Sequence, residues 1–306
     1  MRMSAECLWL NRKTALALLS WMAFAGFLLM PRPVFSLPAT DDFMSGWTVR
    51  FAPPGPLYPR YVADPLSPAS AMTTVHYSDS GIPEAGDKRH VFRIGGRMGI
   101  FRVSPQDNPG AGLQFNLHAA FLGMFDRTQS LDNIGWDGLY GIDTTLGLPS
   151  GMAFKLGISH DSSHVGDEYA ERIGRRRINY TRQEYVLGAS FPAGEHVRAY
   201  GEAGWAFDLR NEEIQDKRRL QAGVELEDRS ALWRGRIGYY GAVDITSFEE
   251  SEWEPDVTVQ CGLLLPAPQS PRTLRVGLEY RDGRSVIGEF SVHEEAYWAV
   301  GIWIDL

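Results

Sequence analysis

The sequence has 306 residues and a formal net charge of −8 at pH 7, an acidic balance that argues against a nucleic-acid partner. Its two cysteines are Cys7 and Cys261, and no Cys/His cluster has the spacing of a zinc site. Glycine (32 residues) and aromatics (12%) are plentiful while long helix-period segments are missing, which points to β structure.

The first element is a leader. Arg12 and Lys13 precede an apolar run from Thr14 to Met30, followed by Pro31-Arg32-Pro33-Val34-Phe35-Ser36. A charged start, an apolar stretch and small residues at the cleavage positions describe a signal peptide over residues 1–36. A transmembrane anchor is the alternative. No lipobox cysteine follows, and Cys7 would leave with the leader. Residues 1–36 hold four basic residues and one acidic one, so the remainder carries 26 Lys+Arg against 37 Asp+Glu, a net −11. Residues 37–69 are rich in proline and are expected to form a periplasmic lead-in. Residues 70–306 are expected to form the folded domain.

That domain alternates. Leu113, Phe115, Leu117 and Phe121 oppose Gln114, Asn116 and His118. In 196–209, Val197, Ala199, Gly201, Ala203, Trp205, Phe207 and Leu209 share one face, and His196, Arg198, Tyr200, Glu202 and Asp208 the other. Leu220, Ala222, Val224 and Leu226 repeat the pattern, as do Leu274, Val276, Leu278 and Tyr280. The segments run to about ten residues or more, the length a tilted membrane strand needs. Short turns (149–151, 192–195, 227–230 and 266–271) alternate with longer polar loops (127–136, 163–177, 210–217, 246–256 and 282–294). Strands are expected near 70–78, 90–104, 112–126, 137–149, 151–162, 178–191, 196–210, 217–227, 231–245, 256–266, 272–282 and 295–306. The fold class is all-β: a transmembrane antiparallel barrel of roughly twelve strands.

The non-apolar face carries both charge signs: Arg93, Arg97, Arg182, Glu184, Arg198, Glu202, Arg219, Glu225, Arg234, Arg236, Glu279 and Arg281. Inside a narrow tube such groups must pair, which predicts a packed lumen rather than a wide channel. His118 and His196 are expected to hydrogen-bond there.

Three stretches carry a family resemblance: Leu57-Tyr58-Pro59-Arg60-Tyr61-Val62-Ala63-Asp64-Pro65, Ser162-Ser163-His164-Val165-Gly166-Asp167-Glu168-Tyr169, and Arg177-Ile178-Asn179-Tyr180. Their chain resembles bacterial domain-of-unknown-function family 1207, a group of predicted outer-membrane proteins. The resemblance implies a barrel in the outer membrane of a Gram-negative cell envelope, inserted with the barrel assembly machinery. It implies no activity.

One polar stretch concentrates chemistry: His160, Asp161, Ser162, Ser163, His164, Asp167 and Glu168. Phe154, Leu156 and Ile158 form an apolar row that His160 and Ser162 continue; Gln183, Thr181 and Asn179 continue the row of the next strand. Parity therefore gathers His160, Ser162 and Asn179 on the outer wall. A serine needs a base, and the base an orienting group. Ser162 as nucleophile, His160 as base and Asn179 (or Glu168) as orienter supply those roles. This His-x-Ser arrangement resembles that of outer-membrane phospholipase A and of barrel-type lipid A deacylases. Asp161, Asp167 and Glu168 offer hard oxygen ligands for Ca²⁺, the one cofactor with candidate ligands. Arg172, Arg175, Arg176 and Arg177 are expected to contact lipopolysaccharide phosphates. The leading functional expectation is a non-catalytic envelope or binding role with outer-membrane lipid and lipopolysaccharide as partners. An outer-leaflet lipid esterase and a narrow substrate-specific channel are the alternatives.

Overall fold

A computed structural model describes residues 40–44, 46–266 and 273–305; the leader expected over 1–36 and most of the turn expected at 266–271 lie outside them. The strands are β1 (Thr40–Met44), β2 (Trp47–Phe51), β3 (Ser70–Ser80), β4 (Lys88–Pro105), β5 (Gly112–Asp126), β6 (Asp132–Gly147), β7 (Ala153–Val165), β8 (Thr181–Pro192), β9 (Val197–Arg210), β10 (Arg218–Leu232), β11 (Ile237–Phe248), β12 (Pro255–Pro266), β13 (Thr273–Arg284) and β14 (Glu294–Asp305). From β3 to β14 each strand pairs antiparallel with the next, and β14 returns to β3. The result is a closed barrel of twelve strands, which leaves no unpaired edge in the ring.

Alternation decides the two faces. Along β5, Leu113 and Leu117 are exposed while Gln114 and Asn116 are buried. The same holds around the ring, where Leu156, Leu187, Leu220, Val224, Leu278 and Val300 are exposed. Arg93, Arg182, Glu184, Glu202, Glu225, Glu279 and Arg281 are buried inside. Most form ion pairs, while Arg93 donates to backbone carbonyls and Glu279 accepts from Gln260 and Tyr297. Arg219 bridges Glu184 and Glu202 at 2.6 Å each, Lys155 meets Glu202 at 2.6 Å, and Arg198 meets Glu225 at 2.5 Å. Arg234 and Arg236 do not join this network. The turn expected at 227–230 falls later, because β10 continues to Leu232 and Trp233 and Arg234 reverse the chain in left-handed backbone (φ 48° and 58°). Both arginines are therefore exposed in the turn. His118 does point inward, 3.5 Å from Asp143, whereas His196 is exposed in the turn before β9.

The proline-rich segment departs from the expectation of a simple lead-in. Strand β2 pairs with Phe101–Pro105 of β4, and residues 52–69 then enter the barrel, mostly exposed up to Pro56 and mostly buried from Tyr58 onward. Tyr58, Tyr61, Val62 and Ala63 are buried there. Six prolines prevent this segment from joining the ladder, so its carbonyls need donors from elsewhere. Wall arginines supply them. Arg102 donates to Gly55 O (2.7 Å), Arg97 to Tyr58 O (2.7 Å), Arg198 to Pro59 O (3.1 Å) and Arg60 O (2.5 Å), and Arg275 to Val62 O (3.3 Å). Arg93 donates to three carbonyls at once, those of Asp64, Pro65 and Ser67. Tyr61 stacks on Tyr200 with centroids 3.9 Å apart and donates to Glu202 at 2.7 Å.

The end with the long loops is closed as well. The β7–β8 connection contains a short helix, α1 (Asp167–Ile173), and the β13–β14 connection a single 3₁₀ turn at Gly288–Phe290. Tyr169 of α1, Ile82, Leu122, Met124, Ile134, Val286, Ile287 and Phe290 form one buried cluster, and Leu66 of the inner segment packs against it. Cap and plug thus meet inside the barrel. A cavity of about 200 Å³ remains between them.

Candidate functional site

The polar stretch 160–168 is divided by the alternation of β7. His160, Ser162 and His164 take the outward row, and Asp161 and Ser163 the inward one. Ser163 is fully buried. Its hydroxyl donates to Asp137 and accepts from the Glu289 N–H at 2.7 Å, while Asp137 accepts from the Gly288 N–H at 2.9 Å. This half of the motif clamps the cap to the barrel wall. Burial pushes the Glu289 carboxyl up, opposed by the N–H groups of Ile178 and Tyr180 and by Arg175 and Arg177.

The expected Ca²⁺ ligands are not brought together. Asp161 faces the interior cavity, whereas Asp167 and Glu168 are exposed in the first turn of α1, where a helix favours acidic residues. Among the described residues no three His, Cys, Asp or Glu side chains form a group able to hold a metal ion. The four arginines also separate. Arg172 pairs with Asp132 at 3.3 Å, and Arg175 donates to Glu289 O at 2.9 Å while lying over Phe290. Arg177 lies 3.4 Å from His164 Nε2 and is exposed, as is Arg176. Arg172, Arg176 and Arg177 are the exposed members of the four.

On the outer wall, β6 to β9 carry a cross-strand row near the loop end. Tyr140 pairs with His160, His160 with Gln183, and Gln183 with Asp208. The His160 ring stacks on Tyr140, with centroids 4.3 Å apart, and lies directly opposite Gln183 in the ladder. Gln183 Nε2 donates to Asp208 Oδ2 at 2.5 Å. One step along the strands, Ser162 lies between Gly138 and Thr181, its hydroxyl donating to Gly138 O at 3.5 Å. Small residues leave a groove beside the row, floored by Gly96 and Ala119 and walled by Met98, Leu117, Ile142 and Ile158.

Asn179 is not in this row. Its backbone is left-handed (φ 62°), so the extended conformation that would carry its side chain to the outer wall ends before β8 begins. Glu168 is on α1, beyond the end of β7. Asp208, by contrast, changes face. Simple alternation in β9 puts it inside with Glu202, but a bulge between Gln183 and Glu184 of β8 sets Glu184 opposite Ala206 and Gln183 opposite Asp208. The extra residue returns Asp208 to the outward row. Alternating polarity in the sequence holds no signal for that slip.

The family model for DUF1207, described as protein of unknown function, matches residues 35–305. No curated protein sequence matches. Among solved structures, the outer membrane phospholipase dimer of Salmonella typhi with bound calcium superposes with a TM-score of 0.51 at 10% identity, covering 80% of this chain and 94% of that one. The outer membrane phospholipase A of Escherichia coli superposes with a TM-score of 0.50 at 10% identity, covering 81% and 95%. At that identity the likeness is one of fold, an outer-membrane-type barrel.

Proposed function

The chain belongs to domain-of-unknown-function family 1207, and on that premise we propose that it is a closed, non-conducting barrel of the Gram-negative outer membrane with a structural or binding role in the envelope. The observation that carries this reading is the occupied lumen: residues 52–69 lie across it, held by five wall arginines, and the loop end is sealed by an apolar cap. Buried charges line the rest, around the cavity of about 200 Å³. Such a barrel offers its outer wall and rim for work, not a conduit. Outer-membrane lipid covers the apolar band, and the outward Arg176 and Arg177 meet lipopolysaccharide phosphates. The narrow-channel alternative needs an aqueous path that the plug fills. Liposomes carrying the purified protein should not swell in isosmotic sugar; swelling at porin-like rates contradicts the proposal.

A second reading, an outer-leaflet lipid esterase, is favoured by one arrangement: Ser162 and His160 share the outward row beside an apolar groove. In this reading the Ser162 hydroxyl oxygen attacks an ester carbonyl carbon while its proton passes to His160. The leaving alcohol takes that proton. Water then attacks the acyl-serine, gives a proton to His160, and frees the fatty acid as the serine is reprotonated. The serine–histidine hydrogen bond is formed with substrate, as catalytic contacts in free enzymes are commonly long. Ser162→Ala should abolish fatty-acid release from phospholipid or lipid A. Ser163 cannot substitute, because its hydroxyl is buried inside the barrel. Unchanged release from Ser162→Ala contradicts this reading.

A further inference from the structure

An imidazole acting as base needs a neighbour that fixes its tautomer and holds the ring toward the nucleophile. The cross-strand row supplies one. Because the Gln183 amide nitrogen donates to Asp208, its carbonyl oxygen is left to accept from an imidazole N–H, and the other ring nitrogen of His160 is then the one without a proton. Tyr140 holds the opposite side of the ring by stacking. A carboxylate on the outward face of a membrane barrel is costly. The fold nonetheless interrupts the β8–β9 ladder with a bulge that turns Asp208 outward, and bulges commonly re-aim side chains beside functional sites.

We infer that Gln183 is the positioning residue for His160 and that Asp208 holds Gln183 in place, so that a Ser162–His160–Gln183–Asp208 chain serves hydrolysis of lipid esters at the outer wall. This inference rests on the esterase reading and gives the orienting role to Gln183 in place of Asn179. It also explains why the outward row stays polar across three strands, at Ser162 and His160, Gln183, and Asp208.

The test uses the full-length protein folded in mixed phosphatidylethanolamine and phosphatidylglycerol vesicles, with fatty-acid release and fluorophosphonate labelling of Ser162 as readouts. Gln183→Ala is expected to lower kcat by about tenfold or more with KM near the wild-type value. Pairing Gln183→Glu with Asp208→Asn keeps an acceptor oxygen for His160 and reverses the amide–carboxylate hydrogen bond, and is expected to recover most of that loss. Asp208→Asn is expected to fall between wild type and Gln183→Ala. Heat-modifiable migration on gels should be unchanged for all three, which separates positioning from folding. Wild-type kcat in Gln183→Ala, in a protein that does hydrolyse lipid, overturns the positioning role and leaves the esterase reading standing. Neither release nor labelling by the wild type overturns both.

Discussion

Adjacent residues in this barrel do unrelated work, and Ser162 and Ser163 show why. Ser163 lies inside, bonded to Asp137 and to the Glu289 N–H, while Ser162 faces out. Glu289 is buried, and its carboxyl accepts from the Ile178 N–H. Burial raises its pKa above the ordinary carboxylate value, so the folded cap binds the protonated form better than the unfolded chain does. Its contribution to cap stability is therefore full below the ordinary carboxylate value and is lost as pH rises through the shifted one. Hydrogen exchange of residues 285–293, corrected for its intrinsic pH dependence, should show stronger protection near about pH 4 than near neutrality. Glu289→Gln should reduce that difference; an unaltered difference contradicts the assignment. The outward placement of His160 and Ser162 was legible because strand parity alone decides it. The placements of Asn179 and Asp208 were not, since a left-handed residue and a one-residue bulge each change face without changing the polarity pattern.

At the scale of elements, most of the twelve barrel strands follow from period-2 alternation, because each must present an apolar row outward and a polar row inward. Turn positions follow less well: the Trp233–Arg234 reversal puts its left-handed backbone on two non-glycine residues just before Gly235. Of the proline-rich stretch 37–69, strands β1 and β2 were not expected, and residues 52–69 were legible as non-strand but not as a plug. Its fixing points are carbonyls, which every residue has, and the arginines that bind them are spread from Arg93 to Arg275. Arg93 is the strongest of these points, with three carbonyls on one guanidinium. Arg93→Ala leaves those buried acceptors without donors, at a cost of about 1–3 kcal/mol. Amide exchange across 62–69 should then quicken by roughly tenfold to a hundredfold while the barrel strands stay protected. Equal exchange in variant and wild type contradicts the anchoring role.

For the whole molecule, twelve strands enclose a lumen narrow enough for one chain segment and its ion pairs to fill. The Glu184–Arg219–Glu202 bridge, the Tyr61–Tyr200 stack and the cap around Tyr169 and Phe290 occupy successive levels of the same interior. Buried pairs of this kind resist separation, since removing one partner strands the other in a low-dielectric interior. The packed lumen was legible from the mixed charges of the inward rows; the plug and the cap that complete it were not. The most direct measurement of the closed interior is planar-bilayer recording on the purified wild-type protein. The account predicts no large, stable conductance steps. Stable steps of porin-like size contradict it.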